Sequence, residues 1–359
     1  MRDKLKFLFL LLILLCLFSF LVLLRFDQAS SIKNWFSSNV VVKIENIFEN
    51  VGLFKTFVSK YSLNEQKRIG IGAGIENDNP KTFEKLLAYE DLIQHKLTYE
   101  LIFISWGDTD NKFPKEFVKG WKDLEITPIL TWEPWKKDFV HPETVQEEYT
   151  FDSIINGEHD DYIRQWAKDS KEAKVPIVIR FAQEQSTPIG SRIWYPWQGD
   201  PIKYVITTRY IHDIFVQEGA TNVKFMWSPY SSWGKDAMQY YPGDRYIDYV
   251  GYTVINHGSD TPKDPKWISC QKQFGTQYEN IDLPNKDIII VEFGTSENGG
   301  DKSEWVSNCL NIFQSIPKII GVVSLEHARD DKTVTDWRIN TSQKSLDSFK
   351  GDILMGNFK

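Results

Sequence analysis

Eight short apolar runs, rich in β-branched residues, recur along the chain and limit what it can fold into. Each run is about as long as a strand and is apolar almost throughout, which is typical of parallel strands covered on both faces. The runs are RIGIGAG (68–74), YELIFISW (99–106), ITPILTWEPW (126–135), PIVIRFAQE (176–184), NVKFMWSPY (222–230), DYVGYTVIN (248–256), DIIIVEFG (287–294) and IIGVVSLEH (319–327).

Segments with helical spacing lie between these runs. The stretches at 80–96, 160–174, 201–219 and 301–316 repeat apolar residues every three to four positions among charged ones. The third closes on a glycine, and the fourth opens on acidic residues that suit a helix N-terminus. Strands that alternate in this way with helices predict an α/β fold, a (β/α)₈ TIM barrel over residues 67–359.

A doubly wound open sheet is the main alternative to the barrel. Such a sheet would normally carry a glycine-rich phosphate turn after its first strand. The stretch GIGAGIEND (70–78) is rich in glycine but lacks the full G-x-G-x-x-G pattern and the helix start that should follow it.

The first residues form a separate segment. MRDKLK carries three basic residues, and the uncharged apolar run at 7–24 is long enough to cross a bilayer as a helix. A cleaved signal peptide usually has a shorter run, and the possible cleavage site near Ala29 is poorly marked. We therefore predict a cytoplasmic tip and transmembrane signal anchor over 1–25, a stalk over 26–66 and a barrel outside the cytoplasm. Cleavage would instead release a secreted protein.

Composition limits the partners of this chain. The net charge is −7 and no basic patch stands out, so no nucleic-acid partner is expected. Aromatic residues make up 14%, with 13 tryptophans, which suits either a large core or a surface that stacks on sugar rings.

No His/Cys/Asp cluster has metal-ligand spacing, so we expect no metal and no cofactor. We expect a monomer. Cys270 and Cys309 could form a disulfide or remain free and buried.

Acidic and aromatic residues follow the predicted strands at one end. In a TIM barrel the site forms at the C-terminal ends of the strands. Glu184 ends the fourth run and Glu292 lies at the end of the seventh. Two carboxylates that face each other across a barrel mouth are what a retaining glycosidase requires, although either one could instead be a structural ion-pair partner. Arg180, just before Glu184, could keep a neighbouring carboxylate ionised.

Several spaced motifs resemble glycoside hydrolase family 26, best known for β-mannanases, with β-glucanases and xylanases alongside. The resemblance covers roughly residues 67–340 and rests on TWEPW, RFAQEQ, WYPWQGDPIKYV, GATNVKFMWSPY, YYPGDRYIDYVGY, VEFG and DWRIN. It implies the same barrel and a double displacement by two glutamates. By this resemblance Glu184 is the acid/base and Glu292, in EFG, is the nucleophile.

The sequence departs from the family pattern at two positions. Gln183 replaces the histidine before the acid/base; glutamine can donate and accept hydrogen bonds but cannot titrate. Ile255 replaces a tyrosine whose hydroxyl reaches the nucleophile, and nearby Tyr252 should face the opposite side of its strand. These changes suggest an altered substrate preference, or an inactive carbohydrate-binding barrel as the alternative function. Transfer of the sugar to another sugar, rather than to water, is a third possibility.

Residues at the predicted rim are candidate sugar contacts. Tryptophan faces stack on pyranose rings, and polar neighbours fix the orientation of the sugar. The predicted substrate-binding residues are Arg180, Gln183, Trp132, Glu133, Trp194, Trp227 and Tyr252. Glu133 could instead cap a turn, and Trp135 and Trp197 could pack between loops. Together the patterns predict a membrane-anchored, extracytoplasmic, retaining endo-β-glycosidase acting on a polysaccharide, with β-mannan or β-glucan as substrate.

Overall fold

The computed structural model describes residues 67–359 apart from several gaps. The gaps are 76–81, 110, 139–140, 142–143, 187–194, 231–234, 261–265, 282, 284 and 328–334. The predicted anchor and stalk, and the predicted sugar contact Trp194, lie outside the described residues. Within the described ranges, no helix combines the length and the apolar character needed to span a bilayer.

Eight parallel strands close into a barrel in chain order, each one hydrogen-bonded to the next and the last to the first. The strands are β1 Gly70–Ile75, β2 Tyr99–Ser105, β3 Thr127–Glu133, β4 Ile177–Phe181, β5 Val223–Trp227, β6 Tyr249–Asn256, β7 Asp287–Thr295 and β8 Ile319–Glu326. The helices are α1 Thr82–Ile93, α2 Val118–Asp123, α3 Phe151–Ile155, α4 Asp160–Ala173, α5 Pro201–Glu218, α6 Cys270–Asn280, α7 Lys302–Gln314 and α8 Gln343–Met355. The predicted (β/α)₈ barrel is therefore confirmed.

Apolar side chains fill the lower part of the barrel. The strands contribute alternate residues to the interior, as the period of two along a strand requires. The buried members of this cluster are Tyr99, Leu101, Ile129, Val178, Met226, Ile289, Val291 and Val323. Residues of opposite parity face the helices, so both faces of the sheet are covered and the strands read as continuous apolar runs.

Local signals fix the helix that follows β4. The Asp200 side chain accepts a hydrogen bond from the Lys203 backbone N–H at 2.9 Å, and Pro201 occupies the first turn of α5. Gly219 ends α5 with a φ of 75°, a conformation that glycine adopts readily. The segment before α5 therefore ends on a rigid element at the mouth of the barrel.

One disulfide ties two outer helices together. Cys270 at the start of α6 is bonded to Cys309 within α7, and both are buried. Of the two alternatives that the sequence left open for these cysteines, the structure contains the paired form.

Candidate active site

Polar side chains replace apolar ones inside the barrel at its C-terminal mouth. All of them except Glu292 continue the interior parity of the apolar cluster by one or two further steps along their strands. They are Ser105, Thr131, Glu133, Arg180, Thr253 and Glu292, and all are buried except Glu292, which is 12% exposed. The C-terminal ends of the strands are where this fold places its active sites.

Arg180 and Glu292 form a buried ion pair across the mouth. Arg180 Nη1 lies 2.7 Å from Glu292 Oε1, and the arginine side chain is fully buried. The hydroxyls of Thr131 and Thr253 lie 3.5 Å and 3.4 Å from its guanidinium nitrogens. The predicted role of Arg180 as the partner of a carboxylate therefore matches its position.

An irregularity between β6 and β7 turns Glu292 inward. The strand register shifts between Tyr252 and Thr253, so that Tyr252 pairs with Ile290 but Thr253 pairs with Glu292. Both Val291, which belongs to the apolar cluster, and its neighbour Glu292 consequently reach the interior. Such irregularities commonly redirect a side chain next to an active site.

Glu184 lies on a turn with unusual backbone angles. β4 ends at Phe181, three residues before the predicted run does, because Ala182 and Glu184 have φ values of 44° and 53°. Positive φ is uncommon for residues other than glycine, and surrounding contacts must maintain it. The Glu184 N–H donates to the Ser228 carbonyl at 2.8 Å. Glu184 is partly exposed, whereas Gln183 and Gln185 on either side are buried.

Gln183 and Glu133 belong to one buried network. Gln183 Nε2 donates to Glu133 Oε1 at 2.6 Å, and the Ser105 hydroxyl donates to Glu133 Oε2 at 2.9 Å. The ends of β2, β3 and β4 are thus joined by side chains directly beside the Glu184 turn. Glu133 does not cap a turn; it fixes the amide that replaces the family histidine.

Tyr195 is a site residue that the sequence analysis missed. Burial raises the pKa of its hydroxyl, and the negative charges of Glu184, Glu133 and Glu292 raise it further. The Tyr195 ring stacks on Trp197, with centroids 4.5 Å apart and planes 9° apart. The phenol therefore interacts electrostatically with all three carboxylates. The motif WYPW held the signal, but its first tryptophan was chosen instead of the tyrosine.

Three predicted sugar contacts do not reach the mouth. Trp132, Trp227 and Tyr252 are fully buried and have the outward parity of their strands. Trp132 stacks on Tyr162 of α4, and Tyr252 packs edge-on against Phe274 of α6. Trp132 and Tyr252 thus fill the layer between sheet and helices, and Trp227 packs edge-on against Tyr241, so the positions of these side chains do not support a role in substrate binding. The expectation that Tyr252 faces away from the site agrees with the structure.

Thr253 supplies a hydroxyl near the nucleophile candidate. Its Oγ1 lies 3.5 Å from Glu292 Oε1, whereas Ile255, at the position of the family tyrosine, offers no polar group. The two residues are two positions apart on the same strand face. This spacing was the signal that would have identified Thr253.

A closed (β/α)₈ barrel with two glutamates and a buried arginine at its mouth defines a class, the barrel-type glycoside hydrolases. Residues 127–267 match the model of glycosyl hydrolase family 26. The chain is 30% identical over 318 residues to endoglucanase H of Acetivibrio thermocellus, an alignment that covers 86% of this chain and 32% of that protein. It therefore spans about a third of the length of this curated relative.

Solved structures of similar fold include two mannanases. A ruminal family 26 endo-β-1,4-mannanase is 18% identical, with 80% of this chain and 62% of that chain covered and a TM-score of 0.55. A family 26 β-mannanase from Bacteroides ovatus is also 18% identical, with 82% and 91% covered and a TM-score of 0.57. At these identities the likeness concerns the fold. The match of residues 127–267 to the family model and the 30% identity to endoglucanase H confirm the resemblance to glycoside hydrolase family 26 that the motifs indicated.

Proposed function

We propose that this barrel is an endo-β-glucanase that cleaves internal linkages of a β-linked glucan with net retention of configuration. The observation that carries the proposal is the buried ion pair between Arg180 and Glu292, 2.7 Å apart at the mouth, with Glu184 on the adjoining turn. Glucan is favoured over mannan as the substrate because the relative that matches most of this chain at 30% identity is named an endoglucanase. The mannanases are similar in fold at much lower identity.

In the first step the Glu292 carboxylate attacks the anomeric carbon and a glycosyl–enzyme ester forms. The bond from that carbon to the glycosidic oxygen breaks, and Glu184 gives its proton to the departing oxygen. Arg180, 2.7 Å from Glu292 Oε1, holds the carboxylate in place. Thr253, 3.5 Å from the same carboxylate oxygen, limits its rotation.

In the second step Glu184, now a carboxylate, takes a proton from water while the water oxygen attacks the anomeric carbon. The ester to Glu292 breaks, and the sugar leaves with its original configuration. The partial exposure of Glu184 suits this role, because the acid/base must reach both the leaving group and the incoming water.

Sugar binding is assigned to the polar and aromatic residues beside the two glutamates. Gln183 is held by Glu133, which accepts from its Nε2, so the amide has one orientation. Tyr195, stacked on Trp197, offers both an aromatic face and a hydroxyl. Trp194 stays a predicted contact.

The test is reducing-sugar release by the full chain from β-glucans, β-mannans and β-xylans, beside its Glu292→Ala variant. Release from a β-glucan, absent in the variant, with β-anomer formed first by NMR, is the expected result. Cleavage of mannan alone would contradict the choice of substrate. Retention of polysaccharide in an affinity gel without any cleavage would favour the binding-only barrel, and longer oligosaccharide products would favour transglycosylation.

We also propose that the enzyme is anchored in the membrane by residues 7–24 and works outside the cytoplasm. The uncharged run and the basic residues before it support this placement. The disulfide between Cys270 and Cys309 supports it independently, because such bonds persist in oxidising compartments. The expected result is a full-length protein that stays with the membrane after an alkaline wash and is digested by protease added to intact cells. Full-length protein found only in the soluble fraction would contradict it.

A further inference from the structure

Gln198 connects the Glu184 turn to the Tyr195 backbone and to the start of α5. Its Nε2 donates to the Glu184 carbonyl at 2.7 Å, and its Oε1 accepts from the Tyr195 N–H at 3.1 Å. The Gln198 backbone N–H donates to the Tyr195 carbonyl at 3.2 Å. The side chain is 8% exposed and lies two residues before Asp200, which caps α5. One glutamine therefore joins three parts of the mouth.

The Glu184 backbone requires such support. With a φ of 53° it adopts a conformation that is strained for a residue with a side chain, and it persists only where neighbouring groups maintain it. The N–H of Glu184 is fixed by Ser228 after β5, and its carbonyl is fixed by Gln198. Trp197 donates in the same way to the preceding carbonyl, that of Gln183, at 2.8 Å.

We propose that Gln198 is a positioning residue for the acid/base: its amide holds the Glu184 backbone so that the carboxyl meets the glycosidic oxygen. Gln198 also links the Glu184 backbone to the Tyr195 backbone, so the acid and the aromatic residue assigned to sugar binding share one support. This inference rests on the proposed function, in which Glu184 protonates the leaving group. It predicts a defect confined to the step that needs the acid.

The experiment compares two substrates that differ only in how much they need that acid. Phenyl β-cellobioside has a poor leaving group, whose oxygen must be protonated as it departs. The dinitrophenolate of dinitrophenyl β-cellobioside leaves without protonation. In the full chain, Gln198→Met, which keeps the length of the side chain without its hydrogen bonds, should lower kcat/KM for the phenyl substrate by about tenfold or more. The same variant should change kcat/KM for the dinitrophenyl substrate by less than about twofold.

A second variant identifies which hydrogen bond matters. Gln198→Glu can still accept from the Tyr195 N–H but, as a carboxylate, cannot donate to the Glu184 carbonyl. It should show the same selective loss as Gln198→Met. The ratio of the two kcat/KM values within one protein does not depend on how much of that protein is folded, so partial misfolding cannot imitate the result.

Gln146 provides the matched control. Its amide also makes one donor and one acceptor bond to backbone, with the carbonyl and the N–H of Lys136, both at 2.8 Å. Gln146→Met should leave the ratio of the two substrates unchanged. An equal loss on both substrates in Gln198→Met, or no loss on either, would overturn the inference while leaving the proposed function intact. A wild-type chain that cleaves neither cellobioside nor β-glucan would contradict the proposed function and this inference with it.

Discussion

Replacing either Arg180 or Glu292 alone should lower the free energy of unfolding substantially. Replacing both should recover much of that loss. The arginine is fully buried and the glutamate is 12% exposed, with 2.7 Å between nitrogen and oxygen. Removing one partner of a buried pair typically costs about 3–5 kcal/mol, because the other charge stays buried without compensation. Glu292→Gln leaves the fully buried cation and should cost about that amount in free energy of unfolding. Arg180→Met leaves the partly exposed Glu292 carboxylate unpaired. Its cost in free energy of unfolding should be near the lower limit, about 3 kcal/mol.

Urea unfolding of the two single variants, the double variant and the wild type gives the coupling energy of the pair. We expect the double variant to be more stable than the sum of the single losses by about 2 kcal/mol or more, because replacing both charges by uncharged groups is often nearly neutral. The exposed pair of Lys224 and Asp248, 3.0 Å apart, is the control and should couple by less than about 1 kcal/mol. Additive losses at Arg180 and Glu292, within about 0.5 kcal/mol, would refute the buried pair as described.

Three further predictions concern stability. Replacing Cys270 and Cys309 by alanine should lower the free energy of unfolding by about 4 kcal/mol, since the disulfide joins residues 39 apart in sequence; a urea midpoint equal to wild type would contradict this. Burial raises the pKa of Glu100 to about 7, so its contribution to stability is present at low pH and is lost as pH rises through that value. Glu100→Gln should therefore gain stability relative to wild type between about pH 5 and pH 8 in urea unfolding, and a constant difference would be the contrary result. Gly258→Ala should lower the thermal midpoint markedly, because φ is +55° and a Cβ would lie 2.0 Å from the Asn298 carbonyl oxygen; an unchanged midpoint would show that the loop adapts.

The strands were predictable because burial on both faces leaves a continuous apolar run, which few other structures produce. α6 and α8 were not predicted. α6 is polar and contains Gly275, and α8 contains Gly351, so the apolar spacing that marks a helix is weak in both. Their stability comes from packing, as with Phe274 of α6 and Phe349 of α8, both fully buried.

At the site, strand ends predicted Glu184 and Glu292 because parallel strands bring their C-terminal ends to one rim. The prediction of Trp132 and Trp227 as sugar contacts took residue type into account but not strand parity. Trp132 follows Thr131, and Trp227 follows Met226. Because Thr131 and Met226 point into the barrel, the two tryptophans point outward. The Glu292 side chain points inward because the register shifts between β6 and β7, and no pattern in the sequence predicts that shift.

The role of Gln198 could not be predicted from the sequence, for a different reason. Its contribution depends on how the segment before α5 folds back over the end of β4, so that the Gln198 amide meets the Glu184 carbonyl 14 residues away. Contacts of this kind follow from tertiary structure rather than from local spacing.

Trapping of the glycosyl–enzyme tests the central claim most directly. A β-glucosyl substrate with fluorine beside the anomeric carbon and an activated leaving group should form the ester and hydrolyse it very slowly. Mass spectrometry of the digested protein should then find one sugar attached to the peptide that contains Glu292, and none in the Glu292→Ala variant. A label on another residue, or rapid turnover through an inverted product without any label, would contradict the account.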